Sequence, residues 1–87
     1  MYSLVYSKQA TKDIPRLKSA KLDSHAKALL GIIQQNPYQS PPPYEKLKGN
    51  LNGAYSRRIN RKHRLVYEVF EDKKTIRVVS MWTHYEF

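Results

Sequence analysis

The chain contains no cysteine, and this absence excludes several kinds of chemistry. None of its 87 residues can form a disulfide, supply a thiolate to a metal or act as a cysteine nucleophile. A small domain without disulfides suits a reducing compartment, so we expect the cytoplasm. No apolar run approaches the roughly 18 residues of a membrane span, and the first residues lack a basic segment followed by a long apolar one. We therefore expect no association with a membrane.

Acidic residues are also scarce. Seven Asp and Glu stand against 16 Lys and Arg, which gives a net charge of +9. The imbalance is greatest between residues 46 and 64, where no acid accompanies the cations. These cations are Lys46, Lys48, Arg57, Arg58, Arg61, Lys62 and Arg64. Like charges at this density repel one another unless a polyanion approaches, so the stretch is typical of a phosphate-binding surface. Charge alone does not distinguish nucleic acid from an acidic protein or an anionic membrane.

The first part of the chain predicts one strand and two helices. Residues 2–6 are aromatic and β-branched enough for a strand, and Ser7 can cap a helix directly after it. Because Pro15 falls inside this helical pattern, we expect the helix to start late or to kink there. A second helix can be capped by Asp23 or Ser24, carries an apolar stripe and ends at residues 36–37.

The rest of the chain predicts a connector and three strands. Residues 37–44 contain four prolines, which predict a stiff extended segment that fixes the position of Glu45. Residues 54–59, 64–70 and 75–82 have strand character, and the short segments between them predict an antiparallel meander.

In the middle strand, Leu65, Tyr67 and Val69 alternate with Arg64, so we expect Arg64 to lie on the face away from the helices. The order β-α-α-β-β-β then predicts a single α+β domain over residues 1–87, with two N-terminal helices packed on a small antiparallel sheet.

Four residues have the side chains needed to cleave RNA without a metal. RNA carries its own nucleophile, the 2'-hydroxyl, so cleavage needs a base, a cation on the phosphate and an acid for the departing oxygen. Glu45 can be the base, Arg64 the clamp and His84 the acid, while Tyr85 can stack on a base or donate its hydroxyl. Each also has an ordinary alternative: a surface ion pair, a solvated strand arginine, an exposed terminal histidine and a tyrosine packed on a sheet edge. No spacing of His, Asp and Glu suggests metal ligands, so we expect neither metal nor cofactor.

Several blocks of sequence, in order, resemble the Txe/YoeB family of bacterial toxins within the wider RelE group. The resemblance covers nearly the whole chain, and several blocks in the correct order are more specific than one. The blocks are residues 45–48, 50–51, 53, 56–59, 63–67 and 84–85.

The resemblance implies an RNA-cleaving toxin with a RelE-like fold. Family members similar to this chain cleave messenger RNA in the ribosomal A site with a Glu base, an Arg on the phosphate and a His acid. Transferred to this sequence, those roles fall on Glu45, Arg64 and His84, with Tyr85 positioning the RNA. The resemblance also implies messenger RNA on the 70S ribosome as substrate, an acidic cognate antitoxin and, often, a homodimer. Lys48 and Arg58 match basic positions of the family that contact the RNA backbone, and we predict that Arg57, Arg61 and Lys62 bind RNA with them.

Residues 86–87, Glu and Phe, depart from the family pattern, which often stops at the His-Tyr pair. An extra acid there is expected to reposition the tail or to weaken local phosphate binding. Two other functions remain open from the sequence. One is a basic RNA- or ribosome-binding domain without catalysis, for which the cations suffice. The other is the gyrase-poisoning branch of the same fold group, which lacks this acid-base set.

Overall fold

The structure, a computed structural model, describes residues 1–48 and 53–83, which form a five-stranded sheet and two helices. The strands are β1 (Ser3–Tyr6), β2 (Glu45–Lys46), β3 (Ala54–Arg58), β4 (Arg64–Phe70) and β5 (Thr75–Thr83); the helices are α1 (Lys8–Ser19) and α2 (Asp23–Gln35). The predicted α+β architecture is confirmed. Neither helix in this part of the chain is both long and apolar enough to cross a bilayer.

The sheet has the spatial order β1-β5-β4-β3-β2. Strands β3, β4 and β5 form the predicted antiparallel meander. Two details differ from the prediction. Strand β1 pairs in parallel with β5, so the sheet is mixed, and Glu45–Lys46 adds a short edge strand beside β3. The parallel pair arises because the chain leaves β1 through the helices, enters the sheet at its far edge and returns by antiparallel steps to β1.

Helix α1 begins where the sequence predicts a cap. The Ser7 hydroxyl accepts a hydrogen bond from the Ala10 amide at 3.0 Å and donates one to the Val79 carbonyl at 2.6 Å. The helix starts at once after Ser7 and runs through Pro15 to residue 19, which excludes a late start, one of the two predicted effects of Pro15. Pro15 is exposed, and its ring therefore requires no space in the core.

Helix α2 presents the predicted apolar stripe to the sheet. Ala26, Leu29 and Ile33 are buried, and the helix ends at residue 35, just before the predicted stop. The predicted cap is not observed, because Leu22 occupies the N-cap position without a side-chain hydrogen bond. Asp23 lies instead in the first turn, where a carboxylate interacts favourably with the helix dipole.

The core lies between the helices and one face of the sheet. Its central members in β4 are Leu65 and Tyr67, both fully buried, as the alternation predicted. Val66 points to the opposite face and packs there with Leu47 and Ala54. This second face carries Arg64, so the prediction for its side is confirmed.

The connector between α2 and β2 folds around the Arg57 guanidinium. The group donates to the carbonyls of Pro37 at 3.0 Å, Gln39 at 2.8 Å and Pro42 at 2.6 Å, and to the Tyr67 hydroxyl at 3.1 Å. The connector therefore bends around the side chain instead of running extended as predicted. Because the last of these carbonyls lies three residues before Glu45, the same contacts fix the entry to β2.

Because the Tyr67 hydroxyl is buried, the free energy of unfolding should decrease at alkaline pH. It donates to the Pro37 carbonyl at 2.7 Å, and burial raises its pKa above the ordinary value of 10.0 because the ionised form would lose hydration. A group whose pKa is raised by folding adds stability below its unfolded-state pKa and loses that contribution as the pH rises further. Wild-type protein should therefore lose stability above about pH 10 relative to Tyr67→Phe. Urea unfolding at about pH 8 and about pH 11 tests this, and an equal gap at both would contradict it.

Candidate active site

Glu45 and Arg64 form an ion pair on the face of the sheet away from the helices. Arg64 Nη1 lies 3.8 Å from Glu45 Oε1 and donates a hydrogen bond to Ser56 Oγ at 3.2 Å. The Arg64 side chain is 13% exposed, whereas that of Glu45 is 52% exposed. The arginine is thus held in place by the sheet, and the carboxylate beside it is open to solvent.

Strand register explains why these side chains meet. Glu45 pairs with Ser56 across β2 and β3, and Arg58 pairs with Arg64 across β3 and β4. Cross-strand partners share a face, and so do residues two apart on one strand. Ser56 and Arg58 therefore lie on the same face as Glu45 and Arg64. This face carries one carboxylate and two guanidinium groups.

These residues surround an open depression of about 190 Å³. It is lined by Pro43, Tyr44, Glu45, Ser56, Arg58 and Arg64. Two guanidinium groups beside a carboxylate suit a phosphodiester, because arginine can bind phosphate oxygens with paired hydrogen bonds. A larger hollow of about 470 Å³ lies between the end of α1 and Trp82, but no Asp, Glu or His of the described part of the chain lines it for proton transfer. We therefore take the smaller depression as the candidate active site.

The remaining predicted RNA-binding cations, apart from Arg57, are exposed. Arg61 and Lys62 occupy the turn between β3 and β4, which begins directly after the strand that carries Arg58. The Asn60 carboxamide oxygen accepts hydrogen bonds from the amides of Lys62 at 2.9 Å and His63 at 2.7 Å, and so fixes the turn. Lys48 is also exposed, beyond β2. These three cations are therefore accessible to a large anion.

Arg57 does not fit the RNA-binding role that the sequence predicted. It is 1% exposed, and its guanidinium is occupied by three carbonyls and a hydroxyl inside the protein. A signal for this was present in the sequence. Arg57 pairs with Leu65, which the alternation already placed on the inner face, and cross-strand partners share a face. Of the two adjacent arginines, only Arg58 is available to a ligand.

His84 and Tyr85, the predicted acid and its neighbour, lie outside the described residues, as does the departure at residues 86–87. Strand β5 ends at Thr83, whose Cα pairs with that of Arg64. The chain therefore passes Arg64 immediately before the His-Tyr pair. The roles of His84 and Tyr85 remain predictions.

Three residues that line the depression were not among the predicted site residues: Pro43, Tyr44 and Ser56. Ser56 accepts the hydrogen bond that orients Arg64, and the alternation along β3, which places it on the face of Arg58, could have identified it. Tyr44 lines the depression beside Glu45. Tyr44 follows the proline run, where no helix or strand periodicity indicates the direction of a side chain. The sequence therefore carried no signal for its orientation.

Comparison with known proteins identifies relatives of this chain. A family model described as the YoeB-like toxin of bacterial type II toxin-antitoxin systems matches residues 6–85. The chain is 36% identical to Toxin YoeB of Synechocystis sp. over 66 residues, which are 76% of this chain and 74% of that protein. It is 44% identical to Toxin YoeB of Mycobacterium bovis over 48 residues, 55% of this chain. The latter match spans 56% of that relative's length.

Solved structures share the fold along almost the whole chain. A chain of a YoeB-YefM complex from Staphylococcus aureus superposes on this protein with a TM-score of 0.80 at 36% identity. The alignment covers 98% of this chain and 99% of that chain. A YoeB dimer from the same organism gives 0.79 at the same identity, with 97% of this chain and 98% of its own covered. By its family model, its sequence relatives and its fold, this chain belongs to the YoeB-like toxins of bacterial type II toxin-antitoxin systems.

Proposed function

We propose that the protein is an endoribonuclease that cuts messenger RNA in the ribosomal A site. The observation that carries this proposal is the pairing of a solvent-open carboxylate, Glu45, with a fixed guanidinium, Arg64, in a basic depression. Membership of a toxin family adds independent support for an activity that damages the cell.

The proposed reaction is an internal transesterification. Glu45 accepts the proton of an RNA 2'-hydroxyl, and that oxygen attacks the adjacent phosphorus. Arg64 donates hydrogen bonds to the nonbridging oxygens as negative charge develops on them. The bond from phosphorus to the 5'-oxygen breaks, and His84 donates a proton to that oxygen. The products are a 2',3'-cyclic phosphate and a 5'-hydroxyl, and the chemistry needs neither metal nor cofactor.

The contact between the Glu45 carboxylate and the Arg64 guanidinium is weak enough for an entering phosphate to replace it. At 3.8 Å the pair lies near the outer limit of an ion pair, and the carboxylate is half exposed. Such pairs contribute little to stability, so replacing the contact with a phosphate costs little. An entering phosphate would take over the guanidinium hydrogen bonds and leave the carboxylate free to act as a base.

The other exposed cations are proposed to hold the RNA backbone. Arg58 lines the depression together with Glu45 and Arg64. Lys48 is exposed just after β2, and Arg61 and Lys62 are exposed in the turn after β3. Such contacts fix the position of the strand without reading its sequence. Tyr85 is proposed to help position the RNA beside His84.

The same basic surface is proposed to bind an acidic cognate antitoxin. The Staphylococcus aureus relative has been solved in complex with YefM and as a dimer. By analogy, we propose that an antitoxin covers the depression of this protein and that the protein can form a homodimer. We place it in the cytoplasm, where translating ribosomes occur.

A translation reaction reconstituted from purified components tests the proposal. Wild-type protein should cut messages within translated reading frames, should leave free RNA of the same sequence intact, and should release fragments with 5'-hydroxyl ends, all visible by 5'-end mapping. Ribosome binding that weakens with salt but leaves every message intact would indicate the non-catalytic alternative. Intact messages together with broken DNA in cells would indicate the gyrase-poisoning alternative.

A further inference from the structure

Strand β5 carries two more residues than β4 over the stretch that leads to the candidate active site. Tyr67 pairs with Val78 and Arg64 pairs with Thr83, so three steps along β4 correspond to five along β5. The register shifts twice between these two pairs. Extra residues of this kind bend a strand and re-aim its side chains, and they are frequent beside active sites.

These register shifts bring the end of β5 back to Arg64. If the regular pairing before the shifts continued, Met81 would lie opposite Arg64. Thr83 would then lie two residues beyond it, about 7 Å further along the strand at about 3.4 Å per residue. With the shifts, Thr83 pairs with Arg64 itself. A proton donor must come within hydrogen-bonding distance of its target, so a displacement of this size would remove His84, the next residue, from the proposed reaction.

Helix α1 and its cap hold this irregular part of β5. Asp13 Oδ2 accepts a hydrogen bond from the Met81 amide at 2.9 Å, and the Ser7 hydroxyl donates one to the Val79 carbonyl at 2.6 Å. Where the regular pairing of a strand is interrupted, its buried backbone groups need other partners, because an unsatisfied one costs free energy. The first helix thus supplies a partner on each side of Ser80.

The Asp13 side chain is fixed for this contact. It is 1% exposed, an unusual location for a carboxylate. Its other oxygen, Oδ1, accepts a hydrogen bond from the Gln9 side chain at 2.9 Å and lies 3.8 Å from Arg16 Nη1. Both of these partners lie about one turn of α1 away, so they orient the carboxylate while Oδ2 bonds to β5. A hydrogen bond from an amide to a carboxylate is stronger than one to a neutral acceptor.

We propose that Asp13 positions the proton donor of the reaction. By holding the Met81 amide, it maintains the register shifts that bring Thr83 beside Arg64. The inference rests on the proposed function, in which His84 is the donor. Because Asp13 is buried, it does not touch the RNA, and it acts through β5 as a positioning residue. Its loss should therefore impair proton donation and leave RNA binding and the action of the base intact.

A message with sulfur at the cut separates this role from a general loss of structure. The cut is first mapped with wild-type protein, and a synthetic message then carries sulfur in place of the departing 5'-oxygen. A thiolate leaves without being protonated, so this message needs no proton donor. Asp13→Ala should cleave the normal ribosome-bound message roughly 10- to 100-fold more slowly than wild type in a single turnover. On the sulfur message, the two proteins should cleave equally fast.

Four further variants serve as controls. His84→Gln should show the same pattern with a larger loss, and adding Asp13→Ala to it should cost nothing more on the normal message. Glu45→Gln should stay slow on both messages, because sulfur does not replace the base. Ile33→Val removes one buried methyl group from α2, so it should lower stability yet cleave both messages like wild type. Asp13→Asn, which keeps an acceptor oxygen, should lie between wild type and Asp13→Ala.

The positioning role is overturned if Asp13→Ala cleaves the normal message at the full rate. It is also overturned if Asp13→Ala stays equally slow on the sulfur message while His84→Gln recovers. If Asp13→Ala does not fold, Ser7→Ala, which frees the Val79 carbonyl in the same stretch, is judged by the same two criteria. A His84→Gln variant that does not recover would remove the donor that Asp13 is proposed to position. Wild-type protein that cleaves neither message would mean that the proposed function itself fails.

Discussion

Glu45→Gln should lower the cleavage rate of ribosome-bound message by about 10²- to 10⁴-fold, the usual contribution of a positioned general base. Glutamine keeps the size and polarity of the side chain but cannot accept the 2'-hydroxyl proton. Because the native carboxylate is half exposed and its contact with Arg64 is long, the fold should lose little stability. Single-turnover cleavage at saturating protein, together with a ribosome-binding assay, separates the chemical step from binding. His84→Gln should produce a loss of similar size by removing the proton donor.

Glu68 supplies the matched control for this experiment. It lies on β4 and pairs with Arg77 at 2.8 Å, so it is another sheet carboxylate in contact with an arginine. It does not line the depression. Glu68→Gln should therefore cleave like wild type. Full activity in Glu45→Gln, or an equal loss in both variants, would show that the carboxylate at position 45 is not the base.

Arg57→Met should lower the free energy of unfolding by about 2–5 kcal/mol, because it leaves buried acceptors without donors. The carbonyls of Gln39 and Pro42 and the Tyr67 hydroxyl would lose the partner that they share. Arg57→Lys should fall between wild type and Arg57→Met, since an ammonium group cannot reproduce the planar arrangement of donors. Urea unfolding followed by circular dichroism measures all three proteins.

Arg58→Met is the matched control, one residue further along the same strand. Arg58 is exposed, so its removal should change stability by no more than about 0.5 kcal/mol. We expect it to weaken the binding of ribosome-bound message instead. The two neighbouring arginines should thus show opposite phenotypes. Equal unfolding midpoints for Arg57→Met and Arg58→Met would contradict the structural role assigned to Arg57.

The features that the sequence predicted well are those set by local periodicity. The alternation of Leu65 and Tyr67 with Arg64 correctly divided β4 between two faces, and Ser7 correctly marked the start of α1. The proximity of Glu45 to Arg64 could also be predicted, because both residues lie in sequence blocks that resemble one family. Periodicity and capping depend on a few consecutive residues, so they can be recognised without knowledge of the rest of the fold.

The features that the sequence did not predict depend on contacts between distant segments. Nothing near residues 3–6 indicates that β1 pairs in parallel with β5. Likewise, the bend of the connector depends on an arginine that lies 15 to 20 residues further along the chain. A run of prolines restricts each residue, but the path of the whole segment is decided by the donors that its carbonyls meet. Arg57 was misassigned because its charge suggested solvent, whereas the acceptors that its guanidinium contacts lie inside the protein; the strand face on which it lies was the local signal against that assignment.

The position of β5 between β1 and β4 has a consequence for biosynthesis. β5 is the last strand of the described part of the chain, yet it occupies the interior of the sheet, and the first strand pairs only with it. During elongation, β1 therefore has no strand to pair with until a segment some 70 residues later has been synthesised. The nascent polypeptide cannot complete its sheet while β5 is still inside the exit tunnel, so the domain finishes folding only after β5 has emerged from the ribosome.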